Sequence, residues 1–178
     1  MERQIALLRG INVGGHNKIG MAQLRDLLGE LGFARVRTHL QSGNVIFSAR
    51  GSPGESARVV ESGLAARFGA SVPVLVRSRA DFARVVGDNP WRGALSDPAK
   101  FLVVFLAGAP DPEVVRAVRA EDHAPDVFEL GRREIYLWCP NGLRETTLSP
   151  AFWERRLGLT ATGRNGNTVT KLLELADP

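Results

Sequence analysis

The fold turns on one stretch, Val36-Arg37-Thr38-His39-Leu40-Gln41-Ser42-Gly43-Asn44-Val45-Ile46-Phe47-Ser48. Residues 36–42 and 45–48 carry the β-branched and aromatic side chains of strands. Gly43-Asn44 between them suits a two-residue hairpin, with Gly at the first central position as a type II′ turn requires. Working outward, residues 4–8 form a short apolar run that reads as a buried strand, followed by a glycine-rich loop to residue 20. Met21, Leu24, Leu28 and Leu31 then recur at helical spacing, Leu27 widens the stripe, and Gly32 ends the helix. Beyond a Gly51-Ser52-Pro53-Gly54 loop, Val60, Leu64 and Phe68 mark a second helix, and residues 73–77 a fourth strand. The order strand, helix, strand, strand, helix, strand is the ferredoxin-like split βαβ pattern, with the sheet expected in the order four-one-three-two.

The second half repeats the theme less clearly. Phe82, Val85 and Val86 suggest a short helix, residues 101–106 a buried strand, and Val114, Val115 and Val118 another helix. Residues 127–130 and 135–138 make a hairpin around Gly131-Arg132-Arg133. Two closing helices follow near 149–157 and 168–176, the last with Val169, Leu172, Leu173 and Ala176 on one face and Asn167 as its N-cap. The fold class is therefore α+β: a ferredoxin-like subdomain over 1–78, and a second, complete or incomplete, over 79–178 with C-terminal helices. The stretch 88–98, with Pro90, Trp91 and Gly93, reads as the linker.

Composition excludes several classes. Of 178 residues, 44% are hydrophobic and 24% charged, an ordinary globular balance. No apolar run reaches the roughly 18 residues that span a bilayer, so no membrane partner is expected. The N-terminus lacks a signal peptide's apolar core, and the single Cys139 cannot form an internal disulfide; together they point to the cytoplasm. Net charge is +4. The surplus lies in the first fifty residues, where Arg3, Arg9, Lys18, Arg25, Arg35, Arg37 and Arg50 face only Glu2, Asp26 and Glu30. That attracts anions modestly, short of the dense basic stripe of a duplex-DNA binder.

Three polar segments concentrate the chemistry: Arg9-Gly10-Ile11-Asn12-Val13-Gly14-Gly15-His16-Asn17-Lys18, Gln41-Ser42-Gly43-Asn44, and Arg164-Asn165-Gly166-Asn167-Thr168-Val169-Thr170-Lys171. The chain uses 20 Arg and 3 Lys, yet Lys18 and Lys171 both fall inside these segments, as do five of the seven Asn. In the ferredoxin-like arrangement the end of strand one lies beside the turn between strands two and three, so the first two segments become neighbours by topology. The third does not follow from topology; composition, together with the resemblance these segments carry, adds it. The candidate ligand-binding residues are Arg9, Asn12, Gly14, Gly15, Lys18, Gln41, Ser42, Asn44, Arg164, Asn165 and Lys171. Cations, amides and unshielded glycine N–H groups suit a phosphate or carboxylate. The spacing is neither a Walker loop nor a Rossmann fingerprint. Each residue also has a structural use: Gly43 and Asn44 in the turn, Asn12 and Gln41 on buried backbone groups, Arg9 against a core carboxylate. His16, His39 and His123 lack metal-ligand spacing, and Cys139 beside Pro140 reads as a packed thiol, so neither metal, cofactor nor catalytic residue is assigned.

The same segments carry a resemblance. The opening run, the Arg37-Thr38-x-x-Gln41-Ser42-Gly43-Asn44-Val45-x-Phe47 stretch and the Arg164-Asn165-x-Asn167-Thr168-Val169-x-Lys171-Leu172 ending resemble the bacterial family catalogued as domain of unknown function 1697, over nearly the whole chain. That ending usually carries Trp where this chain has Gly166, and relatives often carry Ser-Lys where it has Thr146-Thr147. The resemblance implies a shared fold and a bacterial cytosolic setting, with no activity or catalytic residues to carry over.

Three functions compete: binding of a small anionic ligand or nucleotide at the loop edge, with or without catalysis; nucleic-acid binding on a ferredoxin-like sheet; and a protein-interaction module. Sheet-face RNA readers need exposed aromatics on the central strands. Strand one offers Ile5-Ala6-Leu7-Leu8 and strand three only Phe47, so nucleic acid is the weaker alternative.

Overall fold

A computed structural model describes residues 1–91 and 97–177. Residues 92–96, the middle of the expected linker, lie outside the described residues. The chain divides into two compact units, Met1–Ala83 with Leu172–Pro178, and Arg84–Lys171.

In the first unit, β1 (Glu2–Leu8), α1 (Met21–Glu30), β2 (Ala34–His39), β3 (Asn44–Ala49), α2 (Pro53–Phe68) and β4 (Val74–Ser78) follow the expected order. The sheet runs β2-β3-β1-β4 with antiparallel neighbours throughout, which is the four-one-three-two arrangement. Period-two alternation sends Ala6, Leu8, Val45, Phe47, Val74 and Val76 to one face, where they meet Leu24 and Leu28 of α1 and Val60 and Leu64 of α2. The helix α2 starts on a capping box: Ser52 Oγ accepts from the Glu55 N–H at 3.3 Å, and the Ser52 N–H donates to Glu55 Oε2 at 2.8 Å.

The hairpin differs from the expectation. His39 pairs with Asn44, so the connection is the four residues 40–43 and Asn44 already belongs to β3. Two residues carry the reversal in left-handed backbone, Leu40 at φ +61° and Gly43 at φ +85°. A Cβ on Gly43 would lie 2.7 Å from Ile11 Cδ1 and 2.8 Å from Leu8 Cβ. Glycine is thus set by packing under the neighbouring loop as well as by the turn.

The second unit contains β5 (Phe101–Leu106), α4 (Pro112–Arg116), β6 (Val127–Leu130), β7 (Glu134–Trp138), α5 (Pro150–Leu157) and β8 (Ala161–Asn165). The helix α3 (Arg79–Gly87) enters it and α6 (Gly166–Leu175) leaves it. Its sheet runs β6-β7-β5-β8, the same topology as the first, so this ferredoxin-like unit is complete. The strand that sequence reading leaves out is β8, Ala161-Thr162-Gly163-Arg164-Asn165. It has no apolar alternation, and it is a strand because it pairs with β5 from Ala161↔Leu106 to Asn165↔Leu102. The two units also share a detail at the end of the first strand. Leu8 N–H donates to Gly43 O at 2.8 Å and Arg9 N–H to Pro73 O at 2.9 Å; correspondingly, Leu106 N–H donates to Arg133 O and Ala107 N–H to Thr160 O, both at 2.9 Å.

One buried polar network organises the second unit. Glu134, 0% exposed, accepts from Arg84 Nη1 at 2.8 Å and from the N–H groups of Arg132 and Arg133, both at 3.1 Å. The Tyr136 hydroxyl donates to the Val85 carbonyl at 3.0 Å. Trp153, also fully buried, packs edge-on to Phe128 and Phe152 on the opposite side of the sheet. The Cys139 thiol is buried, and burial pushes its pKa up to about 11, the behaviour of a packed thiol.

The last helix begins two residues earlier than its sequence suggests. Asn165 Oδ1 accepts from the Thr168 N–H at 2.9 Å, so Asn165 is the cap, while Asn167 is exposed inside the first turn. Asn165→Ala should cost about 1 kcal/mol in chemical denaturation and Asn167→Ala much less. Equal effects would refute this capping assignment.

Candidate functional site

The loop edge of the first unit is built on Asn12. This residue sits in left-handed backbone at φ +55°, a conformation asparagine tolerates. Its Nδ2 donates to Ile19 O at 2.9 Å and to Gln41 O at 2.8 Å, and its Oδ1 accepts from the Ile19 N–H at 2.9 Å. One amide therefore closes the 12–19 loop upon itself and ties it to the 40–43 turn. Within that loop Val13 bridges to His16, and Gly14 and Gly15 at φ +59° and +80° supply the two left-handed residues of a tight reversal. Ile11 and Ile19 anchor both ends in the core, leaving residues 13–18 exposed.

The candidate residues sort by what their side chains do. Asn44 is 0% exposed; its Nδ2 donates to His39 O at 2.7 Å and to Ser42 Oγ at 3.1 Å, so its amide is engaged within the turn. Asn12 is likewise engaged. Arg9 is half-buried at the end of β1, and Lys18, Gln41 and Ser42 are exposed. Gly14 and Gly15 shape the loop tip. These eight residues belong to the first unit. Arg164, Asn165 and Lys171 belong to the second. Arg164 is 7% exposed and donates to Thr162 Oγ1 at 2.9 Å and Gly163 O at 2.8 Å, and burial pushes its pKa down to about 10. Asn165 caps α6, and Lys171 is exposed on that helix.

Sequence reasoning does not find an apolar recess of the second unit, a cavity of about 330 Å³ lined by Val85, Trp91, Phe101, Val103 and Val169, with Gly166 in its wall. A Cβ at Gly166 would stand 2.8 Å from Pro98 O and 3.1 Å from Phe101 Cδ1. A larger residue there requires movement of the Pro98 backbone. Among the described residues no group of three or more His, Cys, Asp or Glu side chains could hold a metal, and no helix is long and apolar enough to cross a membrane.

The architecture is thus that of an α+β protein made of two ferredoxin-like units, with a polar loop edge on the first. Residues 1–136 match the family described as protein of unknown function (DUF1697), and the chain belongs to that family. Among solved structures it is similar to a conserved bacterial protein from Streptococcus pneumoniae, at 26% identity over 99% of each chain and a TM-score of 0.78. Among curated proteins none matches the chain.

Proposed function

We propose that this chain is a cytosolic binding protein for a small anion, phosphate- or carboxylate-bearing, held at the loop edge of the first unit. The observation that supports this most is the Asn12 tie, which places the exposed 13–18 tip, with Lys18 at its base, on the turn that carries Gln41 and Ser42. Lys18 makes no ion pair among the described residues. Its retention in a chain of 20 Arg favours a compact ammonium over a planar guanidinium fork. Gln41 and Ser42 add donors that fix orientation.

The test is a thermal-shift screen of phosphorylated and carboxylated metabolites, followed by titration of the hits. Lys18→Arg should weaken binding about tenfold, with stability changed by no more than about 0.5 kcal/mol, the usual range for an exposed substitution. Hits that bind Lys18→Arg and wild type equally would exclude Lys18 from the site. Lys171→Arg, on a helix of the second unit, serves as the parallel measurement of the other retained lysine.

A further inference from the structure

At the opposite end of β1 from Arg9, three arginines gather with no acid among them. Arg3 lies on β1 opposite Ser48 of β3, and Arg35 and Arg37 lie on the edge strand β2. Arg3 Nη1 donates to Arg35 O at 3.1 Å and to Ser48 Oγ at 3.4 Å, and its Nη2 to Leu175 O at 3.3 Å. Arg35 Nε donates to the same Ser48 Oγ at 3.2 Å. Arg3 is 9% exposed, and its buried Nε has no hydrogen-bond acceptor. Arg35 and Arg37 are exposed.

Two physical costs converge here. Guanidiniums held this close repel one another: burial, then the charges of Arg35 and Arg37, push the Arg3 pKa down. Among the described residues none of the three forms an ion pair with a carboxylate, and Arg3 and Arg35 are met by carbonyls and one hydroxyl instead. In addition, Arg35 stands at φ +50° within the register shift between Ala34 and Arg37. Left-handed backbone is uncommon for arginine, and bulges of this kind re-aim a side chain at a sheet edge. A folded chain that only needed solubility on β2 would meet neither cost.

We propose that Arg3, Arg35 and Arg37, with the Ser48 hydroxyl, form a binding site for a phosphoryl group of two or more negative charges, free or terminal on a small molecule. Guanidinium forks match phosphate oxygens in pairs, and a multiply charged anion would relieve the repulsion that the protein leaves uncompensated. Arg3 supplies the buried floor, with its unsatisfied Nε, and Arg35 and Arg37 the exposed walls. The site uses no residue of the loop edge and stands or falls separately from it.

The experiment is calorimetric titration of the full chain with sodium pyrophosphate, against sodium chloride at matched ionic strength, in wild type, Arg35→Gln, Arg37→Gln and Lys18→Arg. The two arginines are exposed and each substitution relieves repulsion, so their variants should keep or exceed the wild-type melting temperature, which is measured alongside. Saturable binding in wild type, at least tenfold weaker in each arginine variant and unchanged in Lys18→Arg, is the expected result. ADP in a second arm separates the sources: affinity equal to pyrophosphate assigns a free or terminal phosphoryl group alone, and tighter binding assigns a nucleotide. No saturable binding to either, or binding lost in Lys18→Arg and kept in both arginine variants, would overturn the site. So would binding of a single-stranded oligonucleotide where pyrophosphate fails, since that reports a diester backbone.

Discussion

Glu134→Ala should be among the most destabilising single changes in the second unit, costing about 3–5 kcal/mol in denaturant unfolding, the range for breaking a buried ion pair from one side. The substitution strands the N–H groups of Arg132 and Arg133 and removes the carboxylate that holds Arg84, whose side chain is 17% exposed. Arg84 retains Asp88 at 3.2 Å, but that partner is exposed and contributes little. Acid should act on the same network. Burial alone would raise the Glu134 carboxyl; hydrogen bonds from Arg84, Arg132 and Arg133 and the guanidinium charge outweigh it and hold the group below its ordinary value of 4.5. A carboxyl depressed on folding contributes its full stabilisation above that ordinary value and loses it as pH falls through the folded one. Stability of the wild type should therefore drop below about pH 4.5, and Glu134→Gln should flatten that part of the profile. An identical acid limb in Glu134→Gln would remove Glu134 from the explanation.

Gly43→Ala should be the corresponding lesion in the first unit. Left-handed backbone costs a non-glycine residue about 1–2 kcal/mol. Overpacking adds about 1–3 kcal/mol, because the new methyl would meet Leu8 Cβ and Ile11 Cδ1 at 2.8 and 2.7 Å. Leu8 Cβ is fixed by its strand and cannot turn away. Gly15→Ala is the matched comparison: φ is +80° but nothing lies within 4 Å of its Cβ, so only the backbone cost applies. Denaturation midpoints of the two variants separate conformational strain from crowding. A Gly43→Ala midpoint no lower than that of Gly15→Ala would mean that both the strand at Leu8 and the Ile11 side chain yield to the added methyl.

The elements whose signal is local were legible in the sequence. Leu24 and Leu28 recur at helical spacing because one face of α1 is buried, and Ile5 to Leu8 read as a strand because β1 is covered on both sides. β8 was hidden for the opposite reason. Thr162, Gly163 and Arg164 make a strand only through β5, which lies far away in sequence. The turn spans 40–43 instead of the two residues its local pattern suggests, and Gly43 answers to Ile11 as well as to its own hairpin, a contact no local pattern encodes. Of the candidate site, topology foretold the meeting of the 10–20 loop and the turn. The use of Asn12 as their tie depends on a left-handed φ that sequence does not display. The Arg3, Arg35 and Arg37 group was invisible for a similar reason: its members are dispersed on two strands and look like ordinary surface arginines until register brings them together.

The two units give the molecule an internal reference. Both end their first strand with the same pair of backbone bonds, to the turn and to the residue preceding the last strand. From that shared point one copy reaches its helix α4 through residues 107–111, whereas the other takes the whole of residues 9–20 to reach α1. The shorter path demonstrates how little chain the topology requires there. The excess in the longer path is therefore not demanded by the topology, and it is held in place by the anchors at Ile11, Asn12 and Ile19. The 13–18 tip is thus chain added to the scaffold beyond what its connection needs, and its Gly14-Gly15 and Lys18 answer to something other than the fold.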